Sequence, residues 1–318
     1  MSLEDVAAAL TSSLGQRVTR DAPIADLTTY RLGGPAGVLV RVVDDAALRA
    51  VASVVARERP PVLVIGRGSN LLVADRGFAG LAIVLGGRFE ELAVSTVPGA
   101  VGVRAGAATP LPVVARRSAA AGLTGLEFLV GIPGSVGGAV RMNAGGHGRE
   151  TAEVLTSATV VDLSVADAPA RYLDADALAF GYRTSALGPY DLVTGAELRG
   201  ALDDIAAAEA RVAEVVRWRR EHQPGGANAG SVFRNPPGDS AGRLIEAAGL
   251  KGLRVGGAIV SPKHANFFQA GSDATADDVY RLVRTVRARV ADAEGVLLEP
   301  ELRMIGFDDA ALEQEAKR

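Results

Sequence analysis

The sequence predicts an α+β chain of two or three domains, and three observations carry that expectation. At 318 residues the chain exceeds what one ordinary core fills. Its 48% apolar residues and mean hydropathy of +0.19 supply ample material to bury. Residues 38–65 alternate strand-like and helix-like patterns, whereas from about Arg88 the texture shifts to short strand-like runs around separate helices.

In chain order, residues 1–15 read as a short, acidic, amphipathic helix. Residues 38–43 are β-branched and strand-like, 45–57 have helical spacing, and 62–65 form a second short strand. A glycine turn follows at once, at the carboxyl end of a strand, where ligands of open sheets tend to bind. Further strand-like runs at 101–105, 158–163 and 192–198 surround a helix at 111–121. A helix at 203–221 carries Ile205, Val212, Val215, Val216 and Trp218 as its apolar face. Thr275 and Asp278 have the spacing of a capping box, with Val279, Leu282, Val283, Val286 and Val290 on one face behind them. Residues 296–307 close the pattern as a strand, and the charged last ten residues are expected to fray.

Composition excludes whole classes of function. A net charge of −3 and a pI near 5.8 give no electrostatic reason to expect a nucleic acid or an anionic membrane as partner. The chain has no cysteine, so disulfides, thiolate zinc sites, iron–sulfur clusters and cysteine nucleophiles are all absent. His147, His222 and His264 stand too far apart for a local metal motif, and no metal is expected. The first residues lack the basic start and apolar core of a signal peptide, and no apolar run approaches the ~18 residues of a membrane span. The expected location is cytoplasmic, with no obligate protein partner evident.

Two glycine turns stand out. In Gly66-Arg67-Gly68-Ser69-Asn70-Leu71 the third glycine of a dinucleotide fingerprint is missing, because Leu71 occupies its place. It is either a bare turn between strands or a set of backbone N–H, Ser69 hydroxyl and Asn70 amide donors for a diphosphate. Residues 131–146, GIPGSVGGAVRMNAGG, hold six glycines in sixteen without the Gly-Lys-Ser/Thr triplet of a phosphate loop. Tight turns where sheets cross would account for them, and so would a backbone that must pass close to a ligand. That both turns end in hydroxyl and amide donors favours the diphosphate.

Four further clusters carry chemistry. FGYRTS at 180–185 is a turn with a surface arginine, or it presents the Arg183 donor fork, beside Tyr182, to a carboxylate. Ser231 in GSVFRNP is a turn hydroxyl, a helix cap or a proton donor. A serine hydrolase is disfavoured by the absence of a GxSxG elbow and by the scarcity of histidine. On a regular strand Glu299, Glu301 and Arg303 share one face, either as a charged edge, which Pro300 suits, or as a strip aimed into a cleft. His264 is a hydrogen-bonded structural group or a catalyst.

The segments TTYRLGGPA, VIGRGSNLLV, GLEFLVGIPGSVGGAVRMNAGGHG, FGYRTS, AGSVFRNP, KHANFF and LLEPELRMIG occur in this order. Together, from Thr28 to Gly306, they resemble the UDP-N-acetylenolpyruvoylglucosamine reductase family, flavoenzymes of peptidoglycan precursor synthesis. The resemblance implies a two-subdomain FAD-binding fold of the vanillyl-alcohol-oxidase type, with subdomains at 1–88 and 89–200 and a substrate-binding domain at 201–318. It implies non-covalent FAD, NADPH as hydride donor and a UDP-sugar enolpyruvyl ether as substrate. The FAD contacts it implies are Gly66, Arg67, Gly68, Ser69, Asn70 and Leu71, with Gly131, Ile132, Pro133, Gly134, Ser135, Gly137, Gly138 and Asn143. Its catalytic positions fall on Arg183, Ser231 and Glu301: a cation for the enolate-like charge, a proton donor to C2, and a carboxyl group on the substrate carboxylate. Tyr182, Asn235, His264 and Arg303 are the expected substrate contacts. Two departures stand out. Only residues 186–190 separate FGYRTS from the next strand, so the tyrosine-bearing loop insertion of the family's longer form is missing. His147 stands where a tyrosine is common. Two other readings compete: an FAD-dependent sugar or alcohol oxidase on the same fold, and a flavin-binding protein without turnover.

Overall fold

The computed structural model describes residues 2–307. The last ten residues, expected to fray, lie outside the described residues. The chain divides into two units, each with its own core. The first comprises Met1–Asp21, Gly37–Arg67 and Gly80–Arg219; the second comprises Ala22–Ala36, Gly68–Ala79 and Arg220–Arg318. These divisions do not coincide with the expected borders at 88/89 and 200/201.

In the first unit, helix α1 (Leu3–Leu14) starts from a capping box between Ser2 and Asp5 and buries Val6, Ala7 and Leu10. Helix α2 (Asp45–Glu58) is capped by Asp44, whose carboxylate accepts the Ala47 N–H at 2.8 Å. It stops at Arg59, which takes a left-handed conformation ahead of two prolines. Its buried residues, Ala47, Leu48, Val51, Ala52, Val54 and Val55, follow the helical repeat and pack with α1 on Val38, Val40, Leu81 and Ile83. Those four belong to a sheet ordered Val18–Pro23, Pro35–Val42, Phe78–Leu85, Val62–Val64, whose last two strands run parallel. A second sheet of five antiparallel strands runs Arg171–Leu173, Leu155–Asp162, Asp191–Arg199, Gly102–Gly106, Leu92–Ser95. Helices α3 (Leu111–Ala120), α4 (Val136–Met142) and α5 (Ile205–His222) contribute Val114, Val140 and Val212 to the core on this sheet.

Helix α5 departs from its expected apolar face. Val212 is buried and Val215 and Val216 are partly buried, but Ile205 and Trp218 are 50% and 42% exposed. Ile205 abuts Gly122, which has no side chain to cover it. Trp218 instead meets the His147 ring edge-on at 4.9 Å.

The second unit centres on helix α7 (Ala276–Glu294), whose capping box of Thr275 and Asp278 forms as the spacing predicts. The Asp75 carboxylate also receives the N–H groups of Ala276 and Asp277, at 3.1 and 3.0 Å, where the helix end is positive. The expected stripe Val279, Leu282, Val283, Val286 and Val290 is fully buried. It packs with α6 (Ala241–Ala247) and with a three-stranded antiparallel sheet of Arg254–Val255, Ala258–Val260 and Phe268–Ala270. Two segments distant in sequence, Leu71–Val73 and Arg303–Ile305, pair in parallel, Arg303 opposite Leu71. No helix among the described residues is long and apolar enough to cross a membrane.

Candidate functional site

Within the first unit the two glycine turns meet. The turn after Val62–Val64 begins at Gly66, and a Cβ placed there would lie 2.4 Å from Ser135 Oγ. Ser135 is buried and caps α4, its hydroxyl accepting the Gly138 N–H at 3.4 Å. Its flanks are stitched down: the Val136 N–H binds Thr109 O at 3.0 Å, and the Gly137 N–H binds Ala107 O at 2.8 Å. The Leu111 N–H binds Gly134 O at 3.0 Å. A Cβ on Gly137 would reach 2.9 Å from the Ala107 Cβ, so glycine lets these chains touch. Among the described residues, the N–H groups of Gly66, Arg67, Gly134 and Ser135 have no backbone partner. Donors left unmatched beside bare backbone suit an anion such as a diphosphate. Ile132 and Pro133 form the bend between the turn of Glu127–Gly131 and α4, and Gly138 is exposed. Gly131 packs against the His147 ring, where a Cβ would lie 2.9 Å from Cδ2. Burial, with the Arg219 charge adding to it, holds the His147 pKa below the ordinary imidazole value.

Asn143 ends α4 in a left-handed conformation, φ +42°, and is buried. Its Nδ2 donates to Glu150 Oε2 at 2.8 Å and to Gly181 O at 3.0 Å, and its Oδ1 accepts the Ala152 N–H at 3.0 Å. The side-chain amide expected to face the cofactor is therefore committed to the protein. Gly181 and Thr184 exchange both backbone hydrogen bonds at 3.2 Å, closing FGYRTS into a tight hairpin. Arg183 sits in it at φ +58° with its side chain 16% exposed, so it is not a surface arginine. Its guanidinium lies 4.8 Å from the Tyr182 ring centroid and 3.5 Å from Glu150 Oε1. It also donates to Gly145 O at 3.3 Å and Asn143 O at 3.5 Å.

In the second unit Gly68 takes φ +60°, and a Cβ there would lie 2.0 Å from Leu27 O. The N–H groups of Gly68, Ser69 and Asn70 have no backbone partner among the described residues, and Gly68 is buried. The Asn70 side chain does not stand open: its Nδ2 donates to Glu301 O at 3.1 Å, while its own carbonyl accepts the Arg303 N–H at 3.1 Å. Leu71 opens the parallel strand.

Ser231 caps no helix. It forms a bridge to Phe267, and the next residues are held by Asn266. The buried Asn266 amide accepts the Phe233 N–H at 2.9 Å and donates to Phe233 O at 2.8 Å; the Asn266 carbonyl accepts the Val232 N–H at 2.9 Å. Val232 O in turn accepts the N–H groups of Glu301 and Leu302, at 2.8 and 3.2 Å. Val232, next to Ser231 in the chain, is thus tied to Glu301 within the second unit, whereas Arg183 belongs to the first.

The charged strip needs correction. Regular pairing begins only at Arg303, because Pro300 forms an isolated bridge to Phe233 and two successive N–H groups then converge on one carbonyl. Glu299, Glu301 and Arg303 are therefore not spaced on one regular strand. Asn235 Oδ1 accepts the Ala241 N–H at 3.1 Å and so closes the first turn of α6. His264 Nδ1 accepts the Asn266 N–H at 3.3 Å, and burial lowers its pKa. Arg234 has a buried Nε without a hydrogen-bond partner among the described residues; its charge faces Glu299 at 3.7 Å.

Sequence reasoning missed Glu150 and Asn266. Nothing in the local pattern marks Glu150, whose partner arginine is 33 residues on. Asn266 stood in view in KHANFF, but a buried amide matched to a distant peptide leaves no local signature.

Residues 36–166 match the family described as "FAD binding domain", and residues 222–305 match "UDP-N-acetylenolpyruvoylglucosamine reductase, C-terminal domain". A protein of Anaeromyxobacter dehalogenans (strain 2CP-C) named UDP-N-acetylenolpyruvoylglucosamine reductase is 45% identical over 288 residues, 90% of this chain and 85% of the relative. One of the same name from Azorhizobium caulinodans is 42% identical over 303 residues, 95% of this chain and 96% of its own. The crystal structure of the Thermus caldophilus reductase superposes with a TM-score of 0.77 at 40% identity, covering 91% of this chain and 99% of that one. The expected fold class, an α+β chain with a FAD-binding fold of the vanillyl-alcohol-oxidase type, is borne out by these matches.

Proposed function

The chain belongs to the UDP-N-acetylenolpyruvoylglucosamine reductase family, and from that premise we propose that it uses NADPH to reduce UDP-N-acetylenolpyruvoylglucosamine to UDP-N-acetylmuramate. The observation that carries the reading is that relatives of this name align along 90% or more of the chain while Arg183, Ser231 and Glu301 all stand in their motifs. The reaction places the protein in peptidoglycan precursor synthesis, and its substrates are those of the cytoplasm.

Bound FAD would supply the hydride-transfer chemistry between NADPH and C3 of the enolpyruvyl group. Unmatched N–H groups at Gly66, Arg67, Gly134 and Ser135, all in the first unit, are suited to its diphosphate. Every other step belongs to the chain's own residues. Hydride addition leaves negative charge at C2 that spreads into the substrate carboxylate. Arg183, cationic at every working pH, stabilises that charge; removing one preorganised donor of this kind typically costs ~10²–10³ in rate. Glu301, by its motif, offers a carboxyl group to the substrate, and because two bare carboxylates in contact repel, a carboxyl in that role shares a proton with its partner. The Ser231 hydroxyl gives its proton to C2, a transfer made downhill by the basicity of the carbanion, and recovers one from solvent. One NADPH and one proton are consumed per product.

Anaerobic mixing tests the reading in two stages. NADPH should bleach the yellow flavin, and the enolpyruvyl nucleotide should restore the colour with formation of the lactyl ether. Flavin-loaded protein that bleaches but is not recoloured by that nucleotide would remove the proposal. Recolouring by oxygen with an alcohol in place of NADPH as reductant would favour a sugar or alcohol oxidase.

A further inference from the structure

We propose that Asn143 is a positioning residue for Arg183, acting through its side-chain amide on the FGYRTS hairpin and on Glu150, and that it is not a cofactor ligand. The inference rests on the reading above, in which Arg183 meets the substrate carboxylate.

All the parts lie in the first unit. Arg183 occupies a left-handed backbone conformation that a long side chain adopts at a cost, and such a residue persists where its surroundings dictate it. The hairpin itself is only four residues long and is closed by the pair Gly181–Thr184. Gly181 O, which accepts the Thr184 N–H across the hairpin, also accepts from Asn143 Nδ2 at 3.0 Å. The second Nδ2 proton goes to Glu150 Oε2 at 2.8 Å, and the other oxygen of that carboxylate stands 3.5 Å from the Arg183 guanidinium. One buried amide therefore fixes both the backbone that carries the arginine and the carboxylate that faces its charge. The Asn143 carbonyl and the neighbouring Gly145 carbonyl accept from the same guanidinium. With Oδ1 held by the Ala152 N–H, the donors and the acceptor of the side chain are all used within the protein. Asn143 is itself at φ +42°, a conformation asparagine and glycine tolerate better than other residues. The sequence position thus answers to a need for both a left-handed turn and an amide.

Asn143→Gly keeps the left-handed backbone and removes only the amide; Asn143→Asp keeps the shape and the acceptor but loses both donors. Each variant is purified with its flavin, and four quantities are read: flavin per chain, rate of bleaching by NADPH, rate of recolouring by the enolpyruvyl nucleotide, and KM for that nucleotide. Expected are flavin content and bleaching within about twofold of the parent protein, and recolouring slowed about tenfold to a hundredfold, the scale of a misplaced catalytic group. In an Arg183→Ala background, Asn143→Gly should slow recolouring by less than about twofold further, since residues acting as a unit are non-additive. Loss of flavin from both variants would make Asn143 a cofactor ligand and overturn the proposal. So would equal slowing of both stages, parent-like recolouring, or a full additional cost on top of Arg183→Ala. If the parent protein bleaches and is not recoloured, the reading beneath falls, and this inference with it.

Discussion

Replacing Gly66 by alanine probes the contact between the two glycine turns. Gly66 is outside the left-handed region, so its backbone accepts alanine, but the new methyl would lie 2.4 Å from Ser135 Oγ and 3.5 Å from Ser135 Cβ. The conflict is therefore with one hydroxyl, and that hydroxyl caps α4. Rotating it off the Gly138 N–H relieves the clash and costs the cap, about 1 kcal/mol. Against this, alanine removes unfolded-state freedom and returns about 0.4–1 kcal/mol. Gly66→Ala should accordingly be neutral to mildly destabilising in the parent protein. In a Ser135→Ala background no hydroxyl remains to displace, so the same change should stabilise by about 0.4–1 kcal/mol. The coupling is about 1 kcal/mol, or about 2–4 °C in melting temperature for a unit of this size. Thermal unfolding of the four proteins of the cycle measures it. An identical effect of Gly66→Ala in both backgrounds would refute the contact and, with it, the argument that the two turns together form one bare backbone surface.

Three further outcomes are expected. Gly68→Ala combines φ +60° with a Cβ 2.0 Å from Leu27 O and should destabilise by more than about 2 kcal/mol, seen as a lowered urea midpoint; a parent-like midpoint would contradict the close approach. Ser231→Ala should leave bleaching by NADPH nearly intact and slow recolouring by orders of magnitude, whereas equal slowing of both stages would count against a proton donor. His264 is held below the ordinary imidazole pKa by burial, so the unfolded chain binds the extra proton first and stability falls as pH drops below about 6.5. Protonation also removes the acceptor for the Asn266 N–H, and a His264→Gln protein should show a shallower loss of melting temperature between about pH 7 and pH 5. An unchanged slope would sink that assignment.

Local chemistry made part of this molecule legible from its residues alone. The capping box at Thr275, the buried stripe from Val279 to Val290 and the hairpin at FGYRTS are set by neighbours three or four positions away, which the sequence displays directly. The asparagines were harder. Asn70, Asn143 and Asn235 were expected at the flavin or the substrate, yet each turns its amide onto protein backbone. Their partners are Glu301, Gly181 and Ala241, the first of them 231 residues away, and an amide's choice of partner is decided only once the chain has folded. For the same reason the irregular run from Glu299 to Leu302 passed for a strand. Its alternation of apolar and charged residues is strand-like, and what breaks it is the Val232 carbonyl taking two N–H groups.

The parallel pairing of Leu71–Val73 with Arg303–Ile305 has a consequence for how the protein is made. On the ribosome, Tyr30 and Leu72 emerge long before the chain that will cover them, and both end fully enclosed among residues beyond 228. Closing so long a loop is slow, and until it closes those side chains stay open to water and to other nascent chains. Among the described residues, the second unit's parallel pair closes only once Arg303–Ile305 has been released, so the nascent chain carries these apolar side chains uncovered for most of its synthesis.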